Sequence, residues 1–166
     1  MRKRLLPLLL CAACALSLAA CGAKEAAPAP APEAPGARIA NPFVDYATLA
    51  EAEADAGFTL SAPARIDGWD DPKVQLMNGK MLQLIFRSGD DRLIIRKQSG
   101  TDDCSGDYNS YPETKTAKIN GSSVTLKGAD GKYRTAVWTA GSYSYAVVSD
   151  IAMAFDILTD LIAEIA

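Results

Sequence analysis

Histidine is absent from the 166 residues. That removes the commonest general base, the commonest transition-metal ligand and every histidine-dependent triad. Cysteine is almost as scarce where it matters. Of four cysteines, Cys11, Cys14 and Cys21 crowd the N-terminus and Cys104 stands alone in the rest of the chain. Once the N-terminal segment is processed, no intramolecular disulfide can form, so the domain must hold together through its core. The apolar stretch before Cys21 is too short to serve comfortably as a stop-transfer helix, which needs about 20 apolar residues, and Pro7 interrupts its start.

What is present begins with "MRKR" followed by "LLPLLLCAACALSLAA" and Cys21. A basic start and a short apolar run read as a secretory signal over residues 1–20. Leu18, Ala19 and Ala20 before Cys21 resemble the lipobox of bacterial lipoproteins. That resemblance implies a diacylglycerol thioether on Cys21, which becomes the first mature residue, and a protein on the extracytoplasmic face of the cell membrane. The alternative is an ordinary signal peptide that leaves Cys21 as a thiol.

Residues 21–40, "CGAKEAAPAPAPEAPGARIA", carry no apolar period. Pro-Ala repeats favour extended polyproline II, and at about 3.1 Å per residue this linker spans as much as roughly 60 Å. Loss of Arg2, Lys3 and Arg4 with the signal leaves about 14 of the 17 basic residues against 20 acidic ones, a net charge of about −6. A balance of this sign disfavours nucleic acid and anionic lipid head groups as partners.

Residues 41–166 read as one α+β domain. In "DYATLAEAEADAGF", Thr48 and Glu51 stand three apart as a capping box and Gly57 supplies a stop, predicting a short helix. From Lys73 onward, strand-like segments alternate with turns at Asn78-Gly79, Asn120-Gly121 and Asp130-Gly131, pairs suited to positive φ in tight hairpins. The pattern predicts a curved antiparallel sheet of six to seven strands, connected as a meander of hairpins. Leu82, Leu84 and Phe86 alternate with Met81, Gln83 and Ile85, and Tyr143, Tyr145 and Val147 with serines and Ala146, so one face is apolar. The last segment, "DIAMAFDILTDLIAEIA", places Ile151, Phe155, Leu158, Ile162 and Ile165 on one helical face. It predicts an amphipathic C-terminal helix packed on the sheet.

The ordered strings "NPFVDYATLAEAEADAGF", "APARIDGW", "GDDRLIIRK", "GTDDCSGDYNSY", "VTLKGADGK" and "AVWTAGSYSYAV" with a final amphipathic helix resemble the extracytoplasmic domain of unknown function 4367. That family is common in lipoproteins and membrane-tethered proteins of Gram-positive bacteria. The resemblance covers about residues 41–166 and implies a cell-envelope location without an activity. Cys104 departs from the aliphatic residue expected there.

Four constellations bear on chemistry. Asp102, Asp103, Asp107 and Asn109 concentrate oxygen ligands in a Gly-rich loop, a density that can bind calcium, although the spacing is not that of an EF-hand. The competing reading is a solvated loop with Asx turns. No other cofactor is indicated. Cys104 in the same loop has no histidine to activate it and reads as an inert thiol or a site of intermolecular pairing. Arg87, Arg92, Arg96 and Lys97 form a cationic cluster on one hairpin, able to hold a carboxylate or phosphate; Asp90, Asp91, Asp102 and Asp103 offer cross-strand charge pairs instead. Trp138, Tyr143 and Tyr145 read as core, whereas Trp69, Tyr108 and Tyr111 in loops form a candidate recognition patch.

The functional expectation is a membrane-anchored, non-enzymatic binding or sensing module whose partner is an envelope protein or ligand. Two alternatives are a carrier holding a lipid or peptide beneath the C-terminal helix and a hydrolase using carboxylates such as Asp103 and Asp107. A large apolar pocket favours the carrier. Convergent carboxylates favour the hydrolase, and a filled core counts against both.

Overall fold

The computed structural model describes residues 41–166. The predicted signal peptide, the Cys21 lipidation site and the 21–40 linker lie outside the described residues. The described chain forms eight strands and two helices in the order β1 Phe43–Tyr46, α1 Leu49–Ala56, β2 Lys73–Met77, β3 Met81–Ser88, β4 Asp91–Ser99, β5 Glu113–Ile119, β6 Ser122–Ala129, β7 Lys132–Ala140, β8 Tyr143–Ala154 and α2 Phe155–Ala163. One open antiparallel sheet contains all eight strands in the order β1-β2-β3-β4-β8-β7-β6-β5.

The architecture is α+β, with three departures from the sequence reading. The sheet has eight strands, because β1 precedes α1 and pairs with β2 through Phe43 opposite Met77 to Tyr46 opposite Val74. Four residues are too few for alternation to announce a strand; the β2 edge supplies the pairing. The connectivity is not a single meander. Two hairpin runs, β1 to β4 and β5 to β8, meet where β4 pairs with β8, Ile95 opposite Val147. Residues 100–112, which carry no hairpin turn, lie across one face as a strap and deliver β5 to the far edge. Finally, Ile151 to Ala154 extend β8 instead of opening the last helix. Arg92 holds the Asp150 carboxylate and Arg134 donates to the Asp150 carbonyl, so two strands compete successfully with a helical start.

Local chemistry explains the remaining elements. Thr48 caps α1 by accepting from the Glu51 amide at 3.3 Å, and the Glu51 carboxylate reaches back to the Thr48 amide. Asn78-Gly79, Asn120-Gly121 and Asp130-Gly131 all have positive φ at both residues, the geometry of tight hairpins. Gly128 answers a different demand. It sits at a register shift between β6 and β7, where a Cβ would lie 2.0 Å from the Lys132 carbonyl oxygen.

The two faces of the sheet are covered differently. On one, Leu82, Leu84, Phe86, Leu93, Ile95, Val124, Leu126 and Val147 are buried under Ala52 of α1 and Leu158 and Ile162 of α2. Full burial of each large side chain contributes about 1.5–3 kcal/mol. Trp138 and Tyr145 stack here with centroids 5.3 Å apart and planes 8° from parallel. Backbone bonds between Ser61 and Ala166, at 2.8 and 3.0 Å, tie the end of α2 to the 59–69 crossing. The strap covers the other face.

Candidate functional site

The strap face is organised by two rows of directly opposed side chains. Antiparallel register places Asp45, Gln75, Gln83 and Arg96 in line across β1 to β4, with Phe43, Met77, Met81 and Gln98 in the adjoining row. The first row is a continuous hydrogen-bonded relay. Lys73 pairs with Asp45 at 2.9 Å, Gln75 donates to Asp45 at 2.6 Å, Gln83 donates to Gln75 at 2.6 Å, and Arg96 Nε donates to Gln83 at 2.9 Å. The buried glutamines are thereby satisfied, as burial in a sheet requires.

Arg96 ends the relay beneath the strap. Its Nη1 donates to the Cys104 carbonyl at 3.1 Å and to the Ser105 carbonyl. All three acceptors are neutral, and among the described residues no carboxylate lies within 4 Å of the guanidinium. Burial depresses its pKa below the ordinary guanidinium value, with the Cys104 and Tyr108 side chains acting in the opposite sense. A desolvated cation without a counter-charge is a costly arrangement. It borders a cavity of about 260 Å³ whose floor is Phe43, Met77 and Met81 and whose wall includes Gln98 and, from the strap, Tyr108 and Asp103, the latter paired with Lys127. Tyr108 is 97 % exposed. Gly106 lets the strap approach: its φ is +62° and a Cβ would meet Arg96 Nη1 at 2.7 Å.

The strap is fastened by its own acids. Asp107 accepts from Thr135 Oγ1, from Tyr111 Oη at 2.7 Å, and from the Asn109 amide and side chain at 3.0 and 2.7 Å. Asp103 accepts from the Ser105 amide at 2.8 Å and meets Lys127 at 3.5 Å. Burial raises both carboxyls, but these donors outweigh it and leave each below the ordinary 3.8. Asp102, Asp103, Asp107 and Asn109 do not converge: two of the four lock the strap to the sheet, and Asn109 closes an Asx turn on Asp107. No group of three or more acidic or cysteine side chains placed to hold a metal ion occurs among the described residues.

Cys104, 3 % exposed, packs with Met81 and Ala146. Burial pushes its thiol up, against the lowering influence of the Ser144 hydroxyl and the Arg96 guanidinium. Ser144 Oγ, though buried, has no hydrogen-bond partner among the described residues, so its influence on the thiol is weak. A thiol so enclosed reaches a second chain only if the strap opens.

The chain matches no family model, no curated protein and no solved structure.

The four cations expected to cluster are separated. Lys97 lies on the helix-covered face, 7 % exposed, with Nζ 4.8 Å from the Tyr143 ring centroid and 5.0 Å from that of Tyr145. Consecutive strand residues point to opposite faces, so Arg96 and Lys97 cannot share a site. Arg92 is paired with Asp150 at 2.9 Å, and exposed Arg87 lies opposite it in the register. None of Asp90, Asp91, Asp102 or Asp103 pairs with this cluster among the described residues. Only Arg96 lines the cavity.

The loop aromatics also part company. Trp69 packs on the helix-side core, while Tyr111 bonds to Asp107 under the strap. Sequence reasoning missed Asp45, Gln75 and Gln83 as partners of Arg96. A signal was available: the Asn78-Gly79 turn sets Met77 opposite Met81 and hence Gln75 opposite Gln83, two polar residues inside otherwise apolar strands.

The interior offers little room for cargo. The space between the end of α2 and the Trp138–Tyr145 stack is about 130 Å³.

Proposed function

We propose that this protein is a lipid-anchored, extracytoplasmic binding module without catalytic activity, carrying a ligand site in the cavity beside Arg96. The resemblance to domain of unknown function 4367, the lipobox-like "LAAC" and the Pro-Ala spacer support attachment of the domain at the outer surface of a bacterial cell membrane. The observation that carries the binding role is the half-buried Arg96 guanidinium, which faces neutral acceptors only and opens onto an apolar floor of Phe43, Met77 and Met81. Such a site suits a small carboxylate with an apolar body: the anion supplies the missing counter-charge, and flexible methionines accommodate the body. The filled helix-side core favours this reading over an interior carrier, since the space inside the end of α2 is about 130 Å³ and the larger groove beside that helix is open to the surface. The lowered Asp103 and Asp107 carboxyls favour it over an acid–base hydrolase, where one member of the pair must be raised.

The test is a thermal-shift titration of the purified mature protein with acetate, hexanoate, phenylacetate and inorganic phosphate, in parallel with Arg96→Gln. The expected result is a rise in melting temperature that grows with the apolar body of the carboxylate and vanishes in Arg96→Gln. Flat midpoints across the series, or equal rises in the variant, overturn the site. Mass spectrometry of the native N-terminus checks the anchor, with an unmodified Cys21 counting against it.

A further inference from the structure

A second cavity lies on the opposite face of the sheet from Arg96. It is a groove of about 490 Å³ between the 63–69 crossing and α2. Its floor is apolar: Ile66, Trp69, Met153, Ile157 and Leu161. Ile157 is 59 % exposed beside the half-buried Trp69 indole, so the exposed apolar surface is continuous with the groove floor. Asp67, Asp160 and Glu164 form its rim.

Asp156 in the first turn suits the helix dipole, but the acids further along α2 oppose helix stability. Asp156, Asp160 and Glu164 follow at spacing four, so neighbouring carboxylates repel along one stripe. Asp160 lies within the last turns and Glu164 is the C-cap, where the helix dipole is already negative, and no basic residue occupies the last turn. The only cation in the groove is Arg65, which is exposed and paired with Asp71 at 3.4 Å. A cationic occupant would relieve both repulsions while covering Ile157 and Trp69.

We infer that the groove between the 63–69 crossing and α2 docks a peptide segment of another envelope protein that presents apolar side chains flanked by lysine or arginine. Apolar side chains fill the floor, and the flanking cations meet Asp67, Asp160 and Glu164. This is the helix-in-groove or extended-segment mode, with affinity from apolar burial and selectivity from the rim. The site is independent of the Arg96 cavity.

The probe is a synthetic 14-residue amphipathic peptide of leucine and lysine, titrated against the purified mature protein by isothermal calorimetry and by tryptophan fluorescence. A control peptide carries glutamate in place of each lysine. Binding of the lysine peptide with at least tenfold preference over the control, weakened by raised salt, is the expected result. Ile157→Ser and the double variant Asp160→Asn/Glu164→Gln each weaken binding about tenfold, while Arg96→Gln leaves it unchanged. Both variants alter exposed side chains, and their melting midpoints verify folding. Absence of binding, equal binding of the glutamate peptide, or loss only in Arg96→Gln overturns the proposal. So does a concentration-dependent dimer in analytical ultracentrifugation that Ile157→Ser dissolves, since the groove would then belong to a second copy of this chain.

Discussion

The helix-covered face and the strap-covered face of the same sheet are held by different physics. On the first, Leu82, Phe86, Leu93 and Ile95 are fully buried beneath α1 and α2, and cohesion comes from apolar burial that needs size and shape more than direction. On the second, a four-strand side-chain relay, the Asp107 fastening and the Arg96 carbonyl contacts do the holding, each dependent on geometry. The apolar core between these strands and the helices is filled. A directional network can leave one cation half-satisfied at a cavity, and the proposed ligand site rests on that feature.

The contrast can be broken from either side. Phe86→Ala should give the largest loss, about 3–5 kcal/mol of global stability, seen as a lower urea midpoint reported equally by all probes. Asp107→Ala should cost about 2 kcal/mol by leaving the fully buried Thr135 hydroxyl poorly paired. Its effect should be local, with faster amide exchange and protease cleavage confined to residues 100–112 and little change in the helix-side core. Equal protection loss on both faces would dissolve the distinction.

Acid sharpens the comparison. Asp45, Asp103, Asp107, Asp150 and Glu113 all have carboxyls lowered in the folded state, and Glu113 owes this first to the hydrogen bond from Tyr133. A lowered folded value means that the stabilisation is complete above the unfolded values, 3.8 for aspartate and 4.5 for glutamate, and is lost as pH falls through the folded values. Melting temperature should therefore drop below about pH 4, and Asp107→Asn should flatten that dependence. An unchanged slope in the variant would remove Asp107 from the account.

Gly106→Ala should cost about 1–2 kcal/mol through its positive φ and displace Arg96, weakening carboxylate binding more than stability. The smallest effect is expected for Arg92→Ala, under 1 kcal/mol, because its pair with Asp150 is partly exposed and screened. Chemical denaturation with and without added salt checks the order.

Much of the helix-covered face was legible along the chain. The Thr48–Glu51 box, the Gly57 stop, the Asn-Gly and Asp-Gly turns and the alternation in β3 and β8 are signals between near neighbours. The candidate site was legible only in fragments. Arg96 stood out as a cation in a cluster of four, yet its real neighbours are Gln83, thirteen residues earlier, and the strap carbonyls of Cys104 and Ser105. Pairing of β4 with β8 left no local trace, because the intervening strap carries no turn signal for or against it.

By itself the sequence determined the capped first helix, the strands from Lys73 onward and the apolar face of each, though not β1 or the strand character of Ile151 to Ala154, and it showed that neither histidine chemistry nor an internal disulfide in the domain is open to this chain. Those properties follow from side-chain periodicity and from residue types that are present or absent, both of which are local. Tertiary structure alone decided that the strap crosses the second face, that Arg92 finds Asp150 while Arg96 finds no carboxylate among the described residues, and that Lys97 turns to the aromatic rings. Such outcomes depend on strand order and register, which bring distant residues within hydrogen-bond reach and which no short window of sequence encodes.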